Sequence, residues 1–157
     1  DAKDRRALFA TVMAASVETQ YATIVEKGYG RGSGLAKEVQ TLADRLVKLD
    51  PPVYDAYLSM ASIEYGVSRL NPFFRMMARL RGLRGSKDRA VEHLQLAAAR
   101  GQYYRPYAKI LLSVIHVRER QLPAARALLE ELRKEFPANP IFPREIARIE
   151  RRIGPAK

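Results

Sequence analysis

Arg-Pro-Tyr-Ala-Lys-Ile-Leu-Leu-Ser-Val-Ile-His-Val-Arg-Glu, residues 105–119, is an apolar segment with helical spacing. Pro-Ala-Ala-Arg-Ala-Leu-Leu-Glu-Glu-Leu-Arg-Lys-Glu-Phe-Pro, residues 123–137, is an amphipathic one. Only Arg120, Gln121 and Leu122 separate them. Two helices joined so tightly lie antiparallel, and such a hairpin cannot bury its apolar face alone. It therefore calls for neighbours of the same kind.

Working outward, the neighbours are visible. Ala125, Leu129 and Leu132 set a small-large-apolar spacing on the second helix. Ala90, Leu94 and Ala97 repeat it, and Val39, Ala43 and Leu46 repeat it again. On the first helices, Leu112-Ser113 matches Met60-Ala61, a large residue beside a small one that admits a close partner. The spacing predicts helices over about 4–27, 35–49, 53–70, 72–83, 87–100, 105–119, 122–135 and 144–153. No stretch alternates as a strand does. The expectation is an all-α fold forming one domain over residues 1–157. Its units run about 4–52, 53–102 (interrupted by a segment at 71–86) and 103–137, with a capping helix at 144–153.

Punctuation supports these bounds. Ser33 is the expected N-cap of the second helix, and Gly28 to Gly34 a flexible connector before it. Asp50-Pro51-Pro52 stops that helix. Asn71-Pro72 starts the short one, Gly101 ends the next, and Pro137, Pro140 and Pro143 make a stiff break.

Composition bounds the function. The 157 residues are 47% hydrophobic and 29% charged, which suits a domain with a real core. No cysteine is present, which excludes disulfides and thiol chemistry. His93 and His116 are too few for a histidine-based metal site, so no metal and no cofactor is expected. No run approaches about 18 consecutive apolar residues, so no membrane-spanning helix is expected. The chain opens at Asp1 without Met, and reads as a fragment or processed form. It is expected to be soluble, either cytoplasmic or exported with its signal removed.

The net charge is +11, and the excess lies beyond residue 50. Arg69, Arg75, Arg79, Arg81, Arg84, Lys87 and Arg89 face Asp88 alone. A field of that sign attracts acidic protein, nucleic acid or anionic lipid. Catalysis finds no support: there is no HExxH, no G-x-S-x-G and no paired His-carboxylate spacing. The glycine run fits neither phosphate-binding fingerprint.

Residues 105–137 resemble the tetratricopeptide repeat family. Leu112, Ser113, Leu122, Ala125, Leu129 and Pro137 stand where that pattern wants large, small, large, Ala, large and Pro. Lys109 and His116 depart from it, standing where aromatics are usual. The likeness is interrupted over 53–102 and confined to the second helix over 8–52. It implies a right-handed solenoid of about three helix pairs whose concave groove holds a peptide or protein segment, without enzymatic activity.

The resemblance also implies that first helices line that groove. They would supply Tyr57, Leu58, Tyr65 and Arg69, then Tyr107, Ile110, Val114 and Arg118, with Tyr103, Tyr104 and Arg105 beside them. Tyr and Arg anchor partners through large area and a directional polar end. Two readings of that face stand: an open groove, or a side covered by another helix, the first one. Relatives that clamp a terminal carboxylate need groove Lys and Asn residues. Only Lys109 is available, and it is expected to point at its own partner helix.

The inserted helix carries Phe73, Met76, Met77 and Leu80 on one face, with Arg75, Arg79 and Arg81 off it. Phe and Met at this spacing are expected to pack into the core. Contact with a partner helix or an anionic membrane is the alternative. Arg75, Arg79, Arg81, Arg84 and Lys87 form the expected patch for anionic partners. Nucleic acid is the rival reading, and a helical accessory domain of a larger enzyme another.

Overall fold

The computed structural model describes residues 2–49 and 51–154. Among them are eight α-helices and no strand. These are α1 (Ala2–Gln20), α2 (Tyr29–Val47), α3 (Ala56–Ser68), α4 (Pro72–Leu80), α5 (Lys87–Arg100), α6 (Arg105–Arg118), α7 (Leu122–Glu135) and α8 (Ile141–Ile153). A single π-helical turn, Tyr21–Val25, continues α1. Asp50, read above as part of a helix stop, lies outside the described residues.

The packing order follows the chain. α1 lies on α2, α2 on α3, α3 on α5, α5 on α6, α6 on α7 and α7 on α8; α1 also touches α3, as does α4. The core is correspondingly segmented. Val12, Val39, Ala43, Leu46, Ala56 and Met60 join α1, α2 and α3. Leu58, Ala61, Tyr65, Leu94, Leu112 and Ile115 join α3, α5 and α6. Ala125, Leu129, Leu132, Phe142, Ile146 and Ile149 join α7 and α8, with Ile110 and Val117 of α6 packed on them.

All nine second-helix positions that share the spacing are buried, as are Met60, Ala61, Leu112 and Ser113. Each large one contributes about 1.5–3 kcal/mol relative to exposure. The small residues matter for a different reason: Ala at 0% exposure leaves room for the facing helix to approach.

Two helix starts differ from the sequence reading. The glycine run is not a connector. α2 begins at Tyr29, so Gly30 to Gly34 lie inside it. A Cβ on Gly32 would stand 2.3 Å from Thr23 Cγ2, so with any other residue there the Thr23 side chain has to shift. Ser33 is therefore no N-cap; its hydroxyl donates to the Gly30 carbonyl at 2.8 Å. Leu8, Phe9 and Ala15 of α1 are only partly buried. α8 starts at Ile141, with Pro143 in its first turn, where a missing N–H costs nothing. That extension delivers Phe142 to the core.

The other helix starts follow the residues. Asn71 accepts from Phe74 N–H at 3.0 Å, and Ser86 from Arg89 N–H at 3.3 Å. Between them, the segment after α4 is tied to α2. The buried Gln40 amide donates to the Arg84 carbonyl at 2.9 Å and accepts from Arg84 N–H at 3.1 Å. Lys37 Nζ donates to the Gly82 carbonyl at 2.8 Å. Ala78 and Leu83 bury against Ala36 and Val67.

Candidate functional site

The start of α6 is held by a residue from another helix pair. The buried Asp55 carboxylate, just before α3, accepts from the N–H groups of Gln102, Tyr103 and Tyr104 at 2.8, 3.0 and 2.7 Å. A carboxylate at a helix N-terminus answers both the orphan donors and the positive end of the dipole. Nothing local in the sequence marks this cap, since Asp55 lies 49 positions before Tyr104.

This cap positions two of the expected groove tyrosines. Tyr103 and Tyr104 each have their ring 6.1 Å from that of Phe9 on α1. Phe9 of α1 thus reaches the beginning of α6, where Tyr104 is half-buried and Tyr103 stays 65% exposed. Beyond it α6 is open. Tyr107 is 59% exposed, Val114 is 42% exposed, and Arg118 is exposed. With half-buried Leu111 they fall at i, i+4, i+7 and i+11, one stripe along the helix.

Three residues expected to join them, two on α3 and one on α6, do not. Tyr65 is buried in the core shared by α3, α5 and α6, with its hydroxyl 3.4 Å from Glu119 Oε1. Leu58 is buried too, and Ile110 turns to the α7–α8 cluster. The reason is common to all three: each faces a neighbouring helix that a linear reading of the stripe could not orient. Tyr57 is half-buried, its ring 4.8 Å from that of His93. Burial, then the charges of Tyr54, Glu92 and Asp44, push its hydroxyl above the usual tyrosine range. Lys109 Nζ lies 3.0 Å from Glu131 and 3.5 Å from Glu135 on α7, pointing at its partner helix.

The basic segment divides. Arg81 reaches Ser33 and Gly30 of α2, and Arg84 pairs with Asp44. Arg69, Arg75, Arg79 and Lys87 instead converge on one cleft of about 310 Å³, together with Ser68, Gly85, Ser86 and Glu119. Glu119 is its counterion. Lys87 Nζ stands 3.1 Å from Oε2, and Arg69 3.8 Å from Oε1. The hydrogen bond from Lys87, then the charges of Lys87 and Arg69, hold the Glu119 carboxyl below the usual range against a smaller opposing effect of burial. Arg75 and Arg79 make no ion pair among the described residues. The cleft therefore presents two uncommitted guanidiniums to an anionic group.

The sequence reading missed one further constellation. Glu64, 0% exposed, sits with Oε2 2.8 Å from His93 Nδ1, and Arg89 Nη2 is 3.7 Å from Oε1. The His93 approach is that of an ion pair but is not aligned as a hydrogen bond. So a His-carboxylate pair does form, across α3 and α5, although no sequence spacing announces it. Both side chains are buried, so the pair faces the interior. His116 meets the Gln121 side chain at the turn into α7. Among the described residues no three His, Cys, Asp or Glu side chains converge as metal ligands.

The inserted helix corrects the expectation of core packing. On α4 only Ala78 is buried. Phe73, Met76, Met77 and Leu80 are exposed, because the helix docks through Ala78 and its apolar face turns away from the molecule. A second apolar surface lies on α1 and the π-helical turn, where Val17, Tyr21, Ile24 and Val25 are exposed. Residues Asp4–Val25, at a mean hydropathy of 1.2, are long and apolar enough to cross a membrane by length and composition. Their inner face packs on α2 and α3 through Val12.

The chain matches no protein-family model, no curated protein and no solved structure.

Proposed function

We propose that this chain is a non-enzymatic interaction module, a tetratricopeptide-like stack of about three helix pairs that holds a protein segment along α6. The pairs are α1 with α2, α3 with α5, and α6 with α7, and α8 serves as the cap. In support, each pair packs on the next in chain order, and equivalent positions of the second helices are all buried. Repeats that contact only their neighbours offer an elongated surface rather than a catalytic pocket.

The observation that carries the reading is the stripe Tyr107, Leu111, Val114 and Arg118. An apolar helix that leaves a tyrosine and a valine facing water displays an anchor-type surface. The stripe ends one residue from Glu119, which lines the cationic cleft. An acidic segment running toward the end of α6 would meet Arg75 and Arg79 there.

The test uses peptides selected on the whole chain from a random library. Tyr107→Ala and Val114→Asp are expected to weaken a selected peptide at least about tenfold, since each removes an anchor worth more than about 1 kcal/mol. Their melting temperatures should match the parent. Tyr65→Ala, in contrast, removes a core side chain and should destabilise the fold by about 3 kcal/mol. Peptides whose affinity ignores both α6 variants would overturn the proposal.

A further inference from the structure

The exposed face of α4 has a physical explanation that the α6 stripe does not supply. An amphipathic helix that serves its own core turns its apolar side inward. α4 does the reverse: Leu80 is 76% exposed and Phe73 61%, with Phe74, Met76 and Met77 also exposed. The helix is held firmly in that orientation. Asn71 caps its start, Ala78 docks beside Ala36 and Val67, and the chain after it is clamped by Gln40 and Lys37. The outward face is thus imposed by the packing around it.

We propose that α4 docks this protein onto an anionic lipid bilayer, lying flat in the headgroup region with Phe73, Met76, Met77 and Leu80 in the acyl boundary. Charge complementarity selects this occupant. Arg79 is exposed beside the apolar face, and Arg75 is half-buried behind it in the cleft; both are free of ion pairs among the described residues, and residues 72–80 contain no acidic side chain. Apolar face, flanking arginines and phenylalanines are the attributes of an interfacial helix. A second copy of this chain fits worse, because a symmetric contact would set arginines against arginines in a molecule of net charge +11. Nucleic acid fits worse as well, since phosphates would satisfy the arginines and leave the four apolar side chains in water.

One short helix of about 14 Å binds a membrane weakly, and stable attachment takes a second contribution. The cationic cleft beside α4 supplies one, since its four cations Arg69, Arg75, Arg79 and Lys87 outnumber the single carboxylate of Glu119. The apolar surface of the π-helical turn supplies another at the same end. Arg81, just past α4, reaches Gly30, the neighbour of exposed Tyr29.

The test is sedimentation of the whole chain with vesicles of phosphatidylcholine alone or containing about one third phosphatidylglycerol. Binding is expected only to the anionic vesicles, weakened but not abolished by salt. Phe73→Ser with Leu80→Ser should reduce it at least tenfold, and so should Arg75→Glu with Arg79→Glu. Phe73, Arg79 and Leu80 are exposed and Arg75 is half-buried, so helicity should be unchanged in both. The chain has no tryptophan, so Phe73→Trp gives a local reporter whose emission should shift to the blue on anionic vesicles. Three results would each overturn the proposal. One is equal sedimentation with both vesicle types or none. Another is a Phe73→Trp emission that vesicles do not move. The third is a serine variant that retains vesicle binding but loses self-association or duplex DNA binding.

Discussion

At the scale of single residues, Glu119 shows how one carboxylate organises a cationic surface. Its partners Lys87 and Arg69 come from two other segments, and without it four cations would share one cleft. Its folded pKa is depressed, so its contribution to stability is fully present above the unfolded carboxylate value of about 4.3 and is lost as pH falls through the lower folded value. Glu119→Gln is therefore expected to lower the melting temperature at neutral pH. The gap from the parent should narrow as the solution is acidified, measured by thermal melts across a pH series. A gap that stays constant or widens toward acid would show that charge is not what Glu119 contributes. Neither this residue nor the Glu64–His93–Arg89 group was legible in the sequence. Lys87 and Glu119 lie 32 positions apart, and a helical period carries no information about such encounters. The one available sign was Glu64 itself, a lone carboxylate one position before Tyr65 on the buried face of α3.

At the scale of elements, helix existence and inward faces were legible because the 3.6-residue period records them directly. Ala90, Leu94 and Ala97 illustrate this, being buried where their spacing placed them. Direction of docking was not legible. The four apolar residues of α4 define a face, but Ala78 decides where it points. Gly28 to Gly34 misled for a related reason. Glycines at this density read as a loop, whereas Gly32 serves a close approach within a helix. That approach can be measured. Gly32→Ala sets a clash worth about 1–3 kcal/mol against a helix-propensity gain of about 1 kcal/mol. It should therefore destabilise. In a Thr23→Ala background the obstructing methyl is gone, and the same substitution should become neutral or stabilising. Denaturant melts of the four proteins provide the cycle, and additive effects would refute the contact.

At the scale of the whole molecule, the segmented core has a mechanical meaning. Each cluster joins helices near one another in the chain, with α3 shared among three and α6 between two. Asp55 adds a polar tie, since it sits before α3 and caps α6. In the proposed repeat stack, stability is approximately a sum over neighbouring units. It leaves first-helix surface free, and α6 is where that surface is apolar, exposed and adjacent to the cationic cleft. The sequence suggested a broader groove that included Tyr57 and Tyr65. Burial of Tyr65 and partial burial of Tyr57 narrow the exposed surface to α6, because α3 is the helix through which the pairs pack.

The proposed interaction surface on α6 can be tested in one titration. The isotope-labelled chain would be followed by amide chemical shifts while a library-selected peptide is added. The largest changes are expected at Tyr107, Leu111, Val114 and Arg118, extending to Lys87 for acidic peptides. Changes centred on α8 or on the α2 surface, with α6 silent, would contradict the account.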